Sequence, residues 1–394
     1  MNILFVANRF PYPPYRGDKL KIYNLTRRLA KKHNLYLVTF YEKRDELNYL
    51  KELIPYFKEI ELVFLPRWRS ILNCVPALLS STPLQLAYFK SRKMKRLVNW
   101  AVDRYAIDVV HTQHLRMSQY TSNLNIPKIL DLPDAFSLYF KRRSETERPF
   151  INRLIDRIEI KRLAKAEQVV KKYNKVLVCS VEDKKYLEKL HQVSNIDLLL
   201  NGVDLETFDV KEGHDYSINE TLLFTGNMDY APNVDAVLYF VKELWPSILK
   251  QNPLVKLVIA GQRPVDEILK LQNDRIKITG FVPDISNLYR TSTVLVAPLR
   301  FGAGTQNKVL EAMAMGVPVV CTHIGFAGLQ IESGDGVIMA HDSKDFIHQV
   351  NQLLFDANLR RQVGEKGLNI AQQRFSWESI TSQLDHYLNE NYKT

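Results

Sequence analysis

Ala297-Pro298-Leu299-Arg300-Phe301-Gly302-Ala303-Gly304-Thr305-Gln306-Asn307-Lys308-Val309-Leu310-Glu311-Ala312-Met313-Ala314-Met315-Gly316-Val317-Pro318-Val319-Val320 strings together a glycine loop, a short helical pattern and a strand-like run. The strand pattern Val294–Ala297 ends at Pro298, two glycines open a helix, and Gly316 closes it. A helix that starts behind a glycine loop presents free backbone N–H groups, here those of Gly304 and Thr305, to an anion. Glu311 stands alone as a carboxylate inside that helix, and one carboxylate can accept both hydroxyls of a ribose. The competing reading is a glutamate on the solvent face of an amphipathic helix. The apolar run Ala312-Met313-Ala314-Met315 beside it weighs against that.

Outward from this segment, strand-like runs alternate with amphipathic helical patterns, the signature of parallel sheets covered on both faces. In the first half the strands read as Ile3–Ala7, Leu35–Phe40, Glu61–Leu65, Val109–His111, Lys128–Asp131 and Lys175–Cys179, with helices over Lys19–Lys32 and Ile151–Lys172. A turn at Asn201-Gly202-Val203-Asp204 follows Ile196–Leu200, and a second series begins at Thr221–Thr225. It continues through Val255–Ala260, Ile276–Thr279, Val294–Ala297, Val317–Cys321 and Gly336–Met339. The expected domains are 1–203 and 204–375, with a last helix in 376–394 that packs back on the first domain.

The chain has 394 residues, enough for two domains with cores of their own, and 46% hydrophobic against 25% charged residues, which excludes wholesale disorder. Three scattered cysteines, Cys74, Cys179 and Cys321, form no C-x-x-C pair and suit a reducing compartment. Met1–Arg9 has too short an apolar run for a signal peptide and reads as a buried first strand. The weakly apolar stretch Ile71–Phe89 is interrupted by polar residues and prolines, so no membrane span is expected. Net charge is +11, divided unequally: residues 1–200 carry 37 Lys and Arg against 20 Asp and Glu, whereas the rest carry 17 against 23. Basic clusters lie at Lys90–Arg96 and Lys141–Lys175. They fit an anionic membrane surface or, equally, solvated helix faces. A nucleic-acid module would need a zinc-finger spacing, an RNA-binding aromatic motif or a basic zipper, and the sequence has none of these.

The run Leu310–Val320, together with Asp108-Val109-Val110-His111, Asn201-Gly202-Val203-Asp204, Phe224-Thr225-Gly226-Asn227-Met228, Ile259-Ala260-Gly261 and Ile278-Thr279-Gly280-Phe281-Val282-Pro283-Asp284, resembles the retaining glycosyltransferases of family 4. Pro14–Lys19 and Gly226–Asn233 look like a branch associated with exopolysaccharide gene clusters. The resemblance implies a GT-B fold: two facing Rossmann-like α/β domains with a C-terminal helix crossing back. It implies transfer of a sugar from a UDP- or GDP-linked donor to a glycan or lipid-linked acceptor, with retention; activity without a metal is expected because no strand end in the sequence offers a D-x-D pair or a His/carboxylate cluster. The leaving diphosphate would serve as base, in a cytoplasmic enzyme able to sit on the inner face of the membrane.

Under the resemblance Glu311 takes the donor ribose. Gly17, Gly226, Asn227, Gly261, Phe281, Val282, Gly304 and Thr305 complete the donor-binding set. The family's second glutamate, eight positions before the ribose one, is here Ala303, and its basic phosphate clamp is replaced by Asn227 and Asn233. Arg300 and Lys308 are therefore the expected cations on the diphosphate. His114 or Gln113 is expected to touch the donor sugar, and Asp131 and Asp134 either bind acceptor hydroxyls or cap turns. A nucleotide-sugar epimerase or phosphorylase and a noncatalytic member of the same fold are the alternatives.

Overall fold

The computed structural model describes residues 1–145, 150–210, 213–217, 220–302 and 304–392. The chain divides into two compact units, residues 1–200 with 380–394, and residues 201–379.

The first unit is built on a seven-stranded parallel sheet: β1 (Asn2–Ala7), β2 (Asn34–Tyr41), β3 (Glu59–Phe64), β4 (Val109–Gln113), β5 (Lys128–Leu132), β6 (Lys175–Val178) and β7 (Ile196–Leu198). Their order across the sheet is β3-β2-β1-β4-β5-β6-β7. Ile3 to Ala7 are all buried, as a strand covered by helices on both faces requires. The helices Gly17–Leu29 and Arg92–Arg104 follow β1 and precede β4, and Val98 and Ala101 of the second pack on Leu4, Val6 and Val38. The last helix, Trp377–Tyr392, contributes its residues from 380 onward to this unit. Its Asp385 accepts hydrogen bonds from Lys32 at 2.9 Å and His33 at 2.7 Å, and Tyr387 donates to the Leu198 carbonyl at 3.3 Å.

The second unit has six parallel strands: β8 (Thr221–Thr225), β9 (Lys256–Ala260), β10 (Ile276–Gly280), β11 (Val294–Ala297), β12 (Val319–Thr322) and β13 (Val337–Ala340), ordered β10-β9-β8-β11-β12-β13. Phe224, Phe240, Trp245 and Phe346 fill its core. Gly202 leaves room for the buried indole of Trp377, since a Cβ there would stand 2.6 Å from the ring.

Every strand read from the sequence is present with small shifts at its ends. The helix expected over Ile151–Lys172 is α-helical over Phe150–Glu167 and tightens to a 3-10 turn over Gln168–Lys172. In each sheet the strand order reverses once, between β1 and β4 and between β8 and β11. Ligands of open α/β sheets bind beyond the carboxyl ends of the strands at such a reversal. Those two places hold the residues described next.

Candidate functional site

In the second unit the reversal lies between Gly226, after β8, and the loop that follows β11. Gly226 has φ +152° and Gly261, after β9, has φ +153°. A Cβ on Gly261 would fall 1.6 Å from the Gly226 carbonyl oxygen, so neither loop could draw this close with a side chain at that position. The approach brings Gln262 onto Asn227, with its amide donating to Asn227 Oδ1 at 2.7 Å, while Asn233 donates to the Asn227 carbonyl at 3.0 Å.

Lys308 enters this amide cluster from the first turn of the helix Asn307–Ala314. Its ammonium donates to Asn233 Oδ1 at 2.9 Å and stands 5.0 Å over the Phe224 ring. Burial pulls its pKa down to about 8. One turn further on, Glu311 Oε2 accepts from the hydroxyl of Tyr289 at 2.7 Å, and burial raises the carboxyl's pKa. Tyr289 is itself fully buried and lies 2.8 Å from Thr225 Oγ1. An ammonium and a carboxylate, each held by neutral partners, thus stand one helical turn apart at the carboxyl end of the sheet.

Arg300 turns another way. Its guanidinium forms a two-pronged pair with Asp235, with Nε at 2.9 Å, and lies over Tyr239. The structure therefore puts Lys308 and Arg300 on neighbouring residues of one helix, Asn233 and Asp235 of Ala231–Tyr239, rather than on each other. Gly304 has φ +68°, and the hydroxyl of Thr305 reaches the Gly328 carbonyl at 3.4 Å. Ala303 lies outside the described residues. Phe281 is half exposed beyond β10, beside the partly buried Val282.

In the first unit the reversal gathers Asn8, His114 and Arg116. His114 follows β4 with φ +79° and ψ 146°, a conformation that costs a non-glycine residue about 1–3 kcal/mol. Its backbone N–H donates to the Asp131 carbonyl at 2.7 Å, and its ring packs on Phe136 with Nδ1 buried and unpartnered. Burial and the nearby Arg116 and Arg9 hold the imidazole neutral. Gln113 instead spends its amide on the backbone of Asp18, at the start of the helix that Gly17 opens, where Gly17 itself is exposed. Asp18 pairs with Arg9 at 2.9 Å and Arg16 at 3.6 Å. Asn8 is fully buried, and neither polar atom of its side chain has a partner. Arg116 is held between the rings of Phe89 and Phe136 and bonds to Gln85.

Asp131 corrects its expectation. It is wholly buried and bonded to the ammonium of Lys21 at 2.8 Å, so it is an internal ion pair that meets neither acceptor hydroxyls nor a turn. Asp134 is partly buried, its pKa pushed up to about 7 by burial and by Asp183. Sequence reading passed over Asn8, Arg116 and Tyr289. Asn8 had a signal, a polar residue directly after the first buried strand. Tyr289 had none, because it reaches Glu311 from a helix 22 positions earlier.

Residues 219–356, most of the second unit, match the family model described as glycosyl transferases group 1. Over 97% of the chain, and 98% of the relative's own length, the sequence is 22% identical to an uncharacterized 44.6 kDa protein in the cps region of Klebsiella pneumoniae. It is 32% identical to the O-antigen chain mannosyltransferase B of Escherichia coli over 41% of this chain and 43% of that one, so the match spans less than half of that relative. Among solved structures, Anabaena HepE in complex with UDP and glucose superposes with a TM-score of 0.70 at 14% identity, covering 99% of this chain and all of the other. That likeness establishes the GT-B fold of two Rossmann-like units. The family match over residues 219–356 supports glycosyl transfer, and the chain's relatives include proteins named for capsular and O-antigen synthesis.

Proposed function

We propose that the chain transfers a hexose with retention, as in glycosyltransferase family 4, from a UDP- or GDP-linked donor to a glycan or lipid-linked acceptor of a surface polysaccharide. The observation that carries this reading is the pair Glu311 and Lys308, one turn apart and each held by a neutral partner, Tyr289 and Asn233. A carboxylate there suits the ribose diol, and an ammonium beside it suits the diphosphate. The backbone N–H groups of Gly304 and Thr305, ahead of the helix that carries both, are donors for a phosphate. The close approach of Gly226 and Gly261 leaves Asn227 to line the donor's path, and Phe281 and Val282 offer an apolar face to a base. Gly17 and the neutral imidazole of His114 serve the donor phosphates and sugar from the first unit. Arg300 serves the diphosphate once it exchanges Asp235 for a phosphate oxygen.

The chemistry follows from what these groups can stabilise. As the glycosidic bond breaks, negative charge builds on the diphosphate, and a positioned cation with backbone donors lowers that barrier most when water is excluded. The acceptor hydroxyl then attacks on the face the diphosphate leaves, giving up its proton to a phosphate oxygen. A metal is not required in this scheme. The cation excess of the first 200 residues supports a seat against an anionic membrane surface, in this reading the inner face of the cytoplasmic membrane.

A panel of UDP- and GDP-sugars, with release of the nucleoside diphosphate followed in chelator and the product's anomeric configuration read by NMR, tests each part. Turnover in chelator with the donor's configuration kept is the expected result. An inverted product removes retention from the reading, and activity that returns only with Mn²⁺ removes metal independence.

A further inference from the structure

Two helices of the first unit turn their apolar residues outward. In Arg67–Leu78, with Leu79 at its cap, Trp68, Ile71, Leu72, Val75, Leu78 and Leu79 are all exposed, Trp68 at 63% and Leu79 at 97%. At 100° per residue they fall within a single stripe about 120° wide. The helix Phe150–Glu167 exposes Ile151, Leu154, Ile155 and Ile158, again at the i, i+3, i+4, i+7 spacing of one face.

The opposite face of that second helix makes the arrangement unusual. Asp156 and Glu167 are buried there and Glu159 on its flank, all at most 2% exposed. Asp156 pairs with Arg143, Glu159 accepts from the Leu84 N–H at 2.9 Å, and Glu167 accepts from the Ser137 N–H at 3.0 Å. Burying carboxylates costs free energy that their bonds only offset, and exposing four large aliphatic side chains costs more. A water-facing helix gains from the reverse orientation. Leu163 is buried with these acids, but the larger apolar share faces outward, and that outer face gains free energy when it meets an apolar phase.

The two stripes join. Arg162, one turn past Ile158 on the same side of its helix, donates to the Leu78 carbonyl at 3.1 Å, at the end of the other stripe. Exposed cations edge the patch at Arg67, Arg69, Arg157 and Lys161, and Arg153 lies further round its helix. The acidic residues of 150–167 are turned inward, so the outward rim of that helix is purely basic. A second copy of the chain would set these cations against their own kind. An anionic surface with an apolar interior matches both features at once.

We infer that these two helices form an insertion surface whose apolar stripes enter the acyl region of an anionic bilayer while the flanking cations contact its headgroups. This deepens the charge-based membrane placement and rests on it for the sign of the lipid. It is independent of the transferase chemistry, because vesicle binding needs neither donor nor acceptor.

The full-length protein is tested by flotation with vesicles of phosphatidylglycerol and phosphatidylethanolamine, with neutral phosphatidylcholine vesicles alongside. Lipids brominated on the acyl chain serve as quenchers of Trp68, and Trp68→Phe is the control. The wild type is expected to float with anionic vesicles and to show quenching that Trp68→Phe removes. The triple variant Leu72→Ser/Val75→Ser/Ile155→Ser should fold normally by circular dichroism, bind at least tenfold more weakly and lose the quenching. Arg153→Gln/Arg157→Gln/Lys161→Gln should lose the salt-sensitive part of binding yet still show quenching once bound at high lipid. If the serine variant binds like the wild type and Trp68 is never quenched, charge alone holds the protein and insertion is wrong. Absence of binding to any vesicle overturns both the insertion and the charge-based placement. If sedimentation shows a dimer that the serine variant dissolves, the patch is a contact between copies and the lipid assignment is wrong.

Discussion

The hydroxyl of Tyr289 donates to Glu311 Oε2 at 2.7 Å and lies 2.8 Å from Thr225 Oγ1, so a fully buried tyrosine fixes the one carboxylate of the glycine-loop helix in position. Removing that hydroxyl leaves the carboxylate in place and frees its orientation. Tyr289→Phe should weaken nucleotide binding about two- to tenfold, the worth of one hydrogen bond, while Glu311→Ala should weaken it roughly ten- to 150-fold. Calorimetry with UDP and GDP reads both. If Glu311→Ala binds with unchanged affinity, the ribose is held elsewhere.

Lys308 makes the activity pH-dependent in a predictable direction. Its ammonium, pulled down to about 8 by burial, is the form that attracts a diphosphate. The protonated fraction is nearly complete at pH 6.5 and falls through one half near 8. Donor affinity should therefore be highest below that pH and decline above it. Lys308→Met should flatten this limb of the profile and reduce kcat/KM by about ten- to a hundredfold. A wild-type profile that stays level to pH 9.5 would show that this ammonium takes no part.

Arg300 and Asp235 can be separated by a pair of variants. Should Arg300 leave Asp235 for the donor, Asp235→Asn frees it, and donor affinity should hold or rise while Arg300→Ala loses about ten- to a hundredfold in kcat/KM. Should Arg300 serve only the helix Ala231–Tyr239, both variants should cost a similar, small stability, within about 1 kcal/mol for an exposed pair, and leave kinetics alone.

Two glycines at neighbouring strand ends should respond very differently to the same change. Gly261→Ala drives a Cβ to 1.6 Å from the Gly226 carbonyl and should prevent folding or cost more than about 4 kcal/mol. Gly280, with φ +66°, has nothing within 4 Å of the added atom, so Gly280→Ala should cost only about 1 kcal/mol of backbone strain. Urea unfolding midpoints of the two variants check the contrast.

Strands were legible in the sequence because both sheets are buried on two faces, so each reads as a compact apolar run such as Ile3–Ala7 or Val294–Ala297, bounded by turn residues. Glu311 and Lys308 were legible because helix periodicity alone fixes their spacing. What could not be read were contacts that bring together distant positions: Tyr289 with Glu311, Asn233 with Lys308, and Lys21 with Asp131 across 110 residues. The last of these turned a plausible surface carboxylate into a buried one. The helix Phe150–Glu167 misleads for a different reason, since its periodic apolar residues mark the outer face and its acids the inner, the reverse of the usual inference from pattern to core.

The first unit is interrupted: its chain leaves after residue 200 and resumes only at 380. Asp385 and Tyr387, which tie the final helix to Lys32, His33 and Leu198, are thus made long after the strands they secure. During vectorial synthesis the second unit has all its residues before the first does. The nascent first unit must wait, lacking its closing segment, while about 180 residues emerge at roughly 5–20 per second. A stop codon in the last turns would therefore injure the unit of residues 1–200 more than the unit of residues 201–379, which lies nearer to it in the chain.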